Sequence, residues 1–107
     1  ASNKLISGTR QVAVTNGATI TPSVYVRESV VGDGTDYNGN FARLIVKRND
    51  AIGITSDTVL DTATATSTGA FEQLTGTTAA ATDDGVMEFY VDCDGTTGWL
   101  NVDDWSI

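Results

Sequence analysis

Histidine is absent from this 107-residue chain, cysteine, methionine and proline occur once each, and lysine plus arginine number only six. Each scarcity excludes something. Without histidine there is no imidazole general base, no Ser-His-Asp or Cys-His triad, and no imidazole metal ligand. One cysteine can make neither an intrachain disulfide nor a cysteine-based zinc site. The few cations face fourteen acidic residues, and a net charge of -8 opposes the phosphate backbone of nucleic acid, whose affinity is built from Lys and Arg contacts. Apolar runs stop at a handful of residues, too short for a membrane-spanning helix. These absences predict a protein that is not an enzyme and binds neither nucleic acid nor membrane.

What is present points to strands. Threonine occurs seventeen times, valine eleven and glycine eleven, and β-branched residues favour a pleated surface. At 40% hydrophobic the chain buries a modest core, and its length is that of one domain. Apolar positions alternate with period two between short turn segments, the pattern of an antiparallel β-sandwich. Residues 1–10 read as an N-terminal arm or an incomplete first strand.

Gln11 to Val14 is a predicted strand, and Asn16-Gly17 a tight turn, since both residues tolerate positive φ. Ala18 to Arg27 follows as a long strand with Ile20, Val24 and Val26 on one face and Tyr25 and Arg27 on the other. Pro22 has no backbone donor, so this strand should lie at an edge or bulge there. Gly32 to Asn40 is a polar loop. Phe41 to Arg48 is a strand with Leu44 and Val46 inward, and weaker extended segments follow at Ile54 to Leu60 and Ala63 to Thr68. Phe71 to Thr77 and Val86 to Cys93 are strands. The latter sets Met87, Phe89, Val91 and Cys93 against Glu88, Tyr90 and Asp92. Asp94 to Gly98 reads as a loop, and Trp99 to Val102 and Trp105 to Ile107 as the last strands.

Three stretches carry a resemblance. Phe71-Glu72-Gln73-Leu74-Thr75-Gly76-Thr77, the amphipathic Val86 to Val91, and Trp99-Leu100-Asn101-Val102-Asp103-Asp104-Trp105-Ser106-Ile107 together resemble the C-terminal half of carbohydrate-binding jelly-roll modules of families 4, 9 and 22. Gln11 to Arg27 looks like the valine-rich strand, Gly turn and Ser-x-Tyr-x-Arg strand of the same modules. The resemblance implies a jelly-roll β-sandwich. Residues 1–10 depart from it: the Asn-Gly-x-Phe-Glu segment and the following Trp are missing. A structural Ca²⁺ in that family uses the missing segment with the late Asp-Asp pair, so Asp103 and Asp104 are weak metal candidates here, and no other cofactor is expected. Similar jelly rolls occur in bacteriophage virion proteins. That implies a capsid decoration or cement protein at a virion surface or outside cells, homo-oligomeric or lattice-bound, with other virion or assembly proteins as partners.

Tyr25, Tyr90 and Trp99 lie opposite the core faces of their predicted strands, and Tyr37 sits in the Gly-rich loop. Such rings stack on sugars or anchor protein contacts, so these four form the expected ligand or interface face, with a glycan as the alternative partner. The acidic pairs Asp83-Asp84, Asp92 with Asp94, and Asp103-Asp104 read first as turn residues that cap their own backbone. Glu28, Glu72 and Glu88 fall on separate elements and form no catalytic pair. Cys93 reads as a small buried hydrophobe, and the uncharged threonine run as an exposed edge strand. A shortened sandwich could also be completed by a strand from a neighbouring chain.

Overall fold

The structure, a computed structural model, describes residues 3–6, 8–28, 38–39, 42–64, 71–97 and 100–107. Among these, nine strands occur in the order β1 (Asn3–Ile6), β2 (Arg10–Val14), β3 (Ser23–Glu28), β4 (Asn38–Gly39), β5 (Arg43–Val46), β6 (Thr58–Thr62), β7 (Glu72–Thr75), β8 (Gly85–Thr97) and β9 (Leu100–Ser106). All their pairings are antiparallel. One 3-10 turn, Asp50–Ile52, is capped by Asn49, whose side chain accepts from the Ala51 amide.

The larger sheet is built on β8. Along one edge of β8, β2 pairs with Gly85 to Phe89 and β1 with Asp92 to Gly95. Along the other, β5 pairs with Phe89 to Asp92 and β4 with Gly95 and Thr97. β6 extends the sheet beyond β5, so it is four strand positions wide. The smaller sheet has three, in the order β7-β3-β9.

Alternation decides what lies between the sheets. Met87, Phe89, Val91 and Cys93 of β8 are all 1% exposed or less. Val91, Cys93 and Leu44 pack against Val24, Val26 and Leu74 of the smaller sheet. Met87 and Phe89 pack with Val14, Val46, Ile52 and Ile54 at the other end. Fully burying such a side chain is worth roughly 1.5–3 kcal/mol, so these residues dominate the stability.

Several expected element boundaries move: the strand read at Ile54 to Leu60 is β6 at Thr58–Thr62, the two expected last strands are the single β9, and two further changes have a clear cause. β3 begins only at Ser23, after the buried Pro22, and it is the central strand of its sheet rather than an edge. β3 does not bulge at Pro22 either: the nearest irregularity is an extra residue in β9, opposite Val24. Residues 18–20 instead pair irregularly with 78–81, through Ala81 N to Ala18 O (2.8 Å), Thr78 N to Ile20 O (2.9 Å) and Ile20 N to the Thr78 hydroxyl (3.1 Å). The second change is at Asp94 to Thr97, where β8 continues through the expected loop because β1 and β4 supply partners on both sides. Gly17, at φ 91, makes the expected turn, with Ala18 N donating to Thr15 O.

Two bulges re-aim side chains. In β9, Asp103 pairs with Tyr25 and Ser106 with Ser23, so Asp104 and Trp105 together face Val24. Asp104 takes φ 52, and the Asp103 carboxylate accepts from its amide at 2.8 Å. Strict alternation after the inward Val102 would turn Asp104 inward and Trp105 outward. The extra residue reverses this, and Trp105 packs against both halves of the core. In β6 the register shifts between the partners of Leu44 and Ile45. Leu60 keeps to the core while Asp61 turns toward the smaller sheet, a usual consequence of bulges.

The two flanks of the sandwich differ. Between β6 and β7, the Asp61 carboxylate accepts from Thr75 N (3.0 Å), and Glu72 accepts from the amide and hydroxyl of Thr64. Gly76 is tight against Leu60: a Cβ there would lie 2.6 Å from the Leu60 carbonyl oxygen. Between β2 and β9, Val12, Val102 and Trp105 remain half-buried, and the Arg10 guanidinium stacks over Trp105 at 5.9 Å. Among the described residues no strand pairs with the outer edge of β2 or of β9.

Candidate functional site

Among the described residues, the outer face of the three-stranded sheet carries the most exposed aromatic surface. Val24 and Val26 point into the core, so Tyr25 and Arg27 between and after them point out. Residues directly opposite in an antiparallel ladder share a face. Tyr25 is therefore flanked by Gln73 on β7 and Asp103 on β9, and Arg27 by Asn101 on β9. The Arg27 guanidinium also lies over the Phe71 ring at 5.8 Å. Tyr25 is 37% and Phe71 45% exposed. The result is a flat surface with two rings, a guanidinium, two amides and a carboxylate.

Tyr90 lies elsewhere. It is on the outer face of the larger sheet, across the whole sandwich from Tyr25, so the two tyrosines do not share a platform. Its register partner Ile45 is only 2% exposed although it belongs to neither core cluster, and Val59 completes the row. The Tyr90 hydroxyl donates to Asp57 at 2.8 Å, and Asp57 also accepts from Arg48 N at 2.7 Å. Burial, then the hydrogen bond to Asp57, pushes the Tyr90 phenol up to about 12. The Arg48 amide and then the Tyr90 hydroxyl hold the Asp57 carboxyl below its ordinary range. Beside them is a shallow depression of about 230 Å³ lined by Thr9, Lys47, Asp57 and Tyr90. Tyr90 is thus tied into the structure by its polar end, whereas Tyr25 presents its ring. Tyr37 and Trp99 lie outside the described residues.

The same outer face holds an ion pair that alternation alone does not reveal. Arg43 and Asp92 are directly opposite on β5 and β8, and the guanidinium makes two 2.8 Å bonds to the carboxylate, which is 1% exposed. Such a two-pronged pair is geometrically specific. Asp92 is a structural partner of Arg43, not part of an open acidic site. Lys47, exposed, and Glu88, half-buried, are 3.7 Å apart at the surface, and such a pair adds little.

Of the remaining acidic candidates, Asp94 lies within β8 and not in a turn, while Asp83 and Asp84 serve a turn and Asp103 a bulge. The Asp83 carboxylate accepts from Asp84 N (2.8 Å), and Asp84 accepts from Asn16 N across the turn (2.9 Å). Asp103 caps Asp104 within the β9 bulge. Among the described residues no three acidic or cysteine side chains gather as metal ligands. Cys93 is 1% exposed in the core. At the closed flank a groove of about 360 Å³ runs along β6, with Thr58, Val59, Leu60, Thr77 and Ala79 among its lining and no charged group.

Sequence reasoning missed Phe71, Gln73 and Asn101 as neighbours of Tyr25 and Arg27. Parity along each strand identifies which residues point outward, but only the register says which of them meet. In comparison with known proteins, the chain matches no family model, no curated sequence and no solved structure.

Proposed function

We propose that this chain is a non-enzymatic structural protein of a virion surface, most specifically a bacteriophage capsid decoration or cement protein, that works through protein contacts. The observation that carries the reading is the outer face of the three-stranded sheet. Tyr25 and Phe71 are exposed there, with Arg27 against Phe71, and these residue types are the usual anchors of protein interfaces. The finer fold reading is a jelly roll. That topology sets early and late strands side by side in two sheets, and the neighbours here, β2 with β8 and β3 with both β7 and β9, support it. An oligomer or lattice-bound state at the virion surface or outside cells goes with this role.

Sedimentation of the purified protein with and without particles from its source tests the reading. Association that weakens about tenfold or more in Tyr25→Ala or Phe71→Ala is expected, since anchors cost 2 kcal/mol or so when truncated. A protein that stays monomeric at high concentration and does not co-sediment overturns it.

A carbohydrate-binding role is the second reading, favoured by the polar flanks of Tyr25. A sugar ring stacked on Tyr25 would find Gln73 on one side and Asp103 on the other, groups suited to its hydroxyls. Glycan-array binding lost in Tyr25→Ala would support it, with Trp99→Ala as the companion variant. Absence of binding, or binding unchanged in both variants, removes it.

A further inference from the structure

The four-wide sheet faces a three-wide one. On the closed flank β6 and β7 lie against each other, so the missing position is on the opposite flank, beside β9 and over β2. There the inner side chains Val12, Val102 and Trp105 are only half-buried, and the outer backbone edge of β9 has no partner among the described residues. One strand spacing of about 4.8 Å is what separates the smaller sheet from the width of the larger.

We propose that the outer edge of β9 is a docking site for one extended, basic segment of a partner protein, which completes the smaller sheet as a fourth strand. This goes beyond the sheet-face contact: it uses the main-chain edge of β9 and shares with that face the Asp103 carboxylate, not the Tyr25 and Phe71 rings. An incoming strand of about five residues would take main-chain hydrogen bonds from β9, as strand addition to a sheet edge does. Its alternate apolar side chains would cover Val12, Val102 and Trp105. Arg10, exposed and stacked over Trp105, lies at the entrance and swings aside or shares the ring.

Charge selects the occupant. Asp103 and Asp104 are exposed on β9, where no Lys or Arg occurs, and the whole chain carries -8. Two copies approaching by this edge would bring like charges together. Lysine or arginine at the outward positions of a partner strand would instead lie beside these carboxylates. Complementarity of this kind sets partner choice and association rate.

The probe is a synthetic heptapeptide of valines alternating with lysine and threonine, titrated into the full chain while backbone amide shifts and hydrogen exchange are followed. Expected are shifts and new protection confined to Asn101 to Ser106 and to the side of β2. Binding should weaken with salt, fall about tenfold in the Asp103→Asn, Asp104→Asn double variant, and vanish when alternate peptide amides are N-methylated. Tyr25→Ala should leave it unchanged, which separates this edge from the sheet face. No shift in β9 at about 1 mM peptide, or shifts centred on Tyr25 and Phe71, overturns the proposal. So does concentration-dependent protection of β9 without peptide, because a second copy is then the occupant.

Discussion

The flank between β6 and β7 and the flank between β2 and β9 enclose the same core by different means. On the first, carboxylates do the closing: Asp61 reaches Thr75 N, and Glu72 reaches Thr64. A side-chain acceptor on one strand satisfies a main-chain donor on the other, and Gly76 lets the two backbones approach. The second has no such clamp among the described residues. Apolar side chains stop half-covered, and a stacked arginine serves as the rim. An edge whose donors are bonded inward is protected against further pairing, and an edge without such bonds is available for it. The carboxylate clamps therefore show which side of the sandwich is finished.

Core truncation should expose this difference most strongly. Leu74→Ala, at the fully buried position on β7, should cost about 3 kcal/mol in urea denaturation, whereas Val12→Ala on the open flank should cost about 1 kcal/mol or less. Equal losses would mean that Val12 is as enclosed as Leu74. The same change on each side gives a second contrast. Gly76→Ala must push the Leu60 carbonyl away and should cost about 2 kcal/mol, while a Cβ at Gly8 meets nothing within 4 Å and should shift the midpoint by under about 0.5 kcal/mol.

Asp61→Ala opens the clamp itself. A loss of about 1 kcal/mol is expected, with faster hydrogen exchange at the Thr75 amide and none at β9. On the other flank the β9 bulge is tested by Asp104, whose φ of 52 suits glycine. Asp104→Gly should be close to neutral, and Asp104→Val should lose about 1–2 kcal/mol and move Trp105 fluorescence toward that of an exposed indole.

The last contrast is a pH dependence, confined to the alkaline and acid extremes. The Tyr90 phenol is raised from 10.0 to about 12, so the folded state favours the protonated form. That contribution is complete below pH 10 and is lost as pH rises toward 12. Asp57 is lowered from 3.8, so its contribution holds above that value and is lost as pH falls through and below it. In Tyr90→Phe the alkaline loss should disappear and the acid loss should shrink. An unchanged alkaline profile would show that Tyr90 is not the group responsible.

Much of the strand content was legible, because a two-residue period reports one buried face wherever it persists. The alternation of Met87, Phe89, Val91 and Cys93 placed β8, and Leu44 and Val46 placed the core face of β5. The period fails where register slips. Nothing in Val102-Asp103-Asp104-Trp105 announces that both apolar residues face inward, since an inserted residue is visible only against the partner strand. Ile45 is likewise read as outward and yet is buried, because its cover comes from other strands. The candidate surface was legible in its types and not in its grouping: Tyr25 and Tyr90 each lie opposite the buried residues of their own strand and yet belong to opposite faces of the sandwich.

The amino-acid sequence by itself determined the chemistry available: no imidazole, one buried thiol, an excess of carboxylates, and enough alternating β-branched residues to require sheets. Those follow from composition and from the period-two geometry of an extended chain. Which carboxylate binds Arg43, which one closes a flank, which ring stays open and which strand edge is left unfinished were decided only in the tertiary structure. Pairing brings together residues tens of positions apart, and a shift of one residue in register exchanges inside for outside.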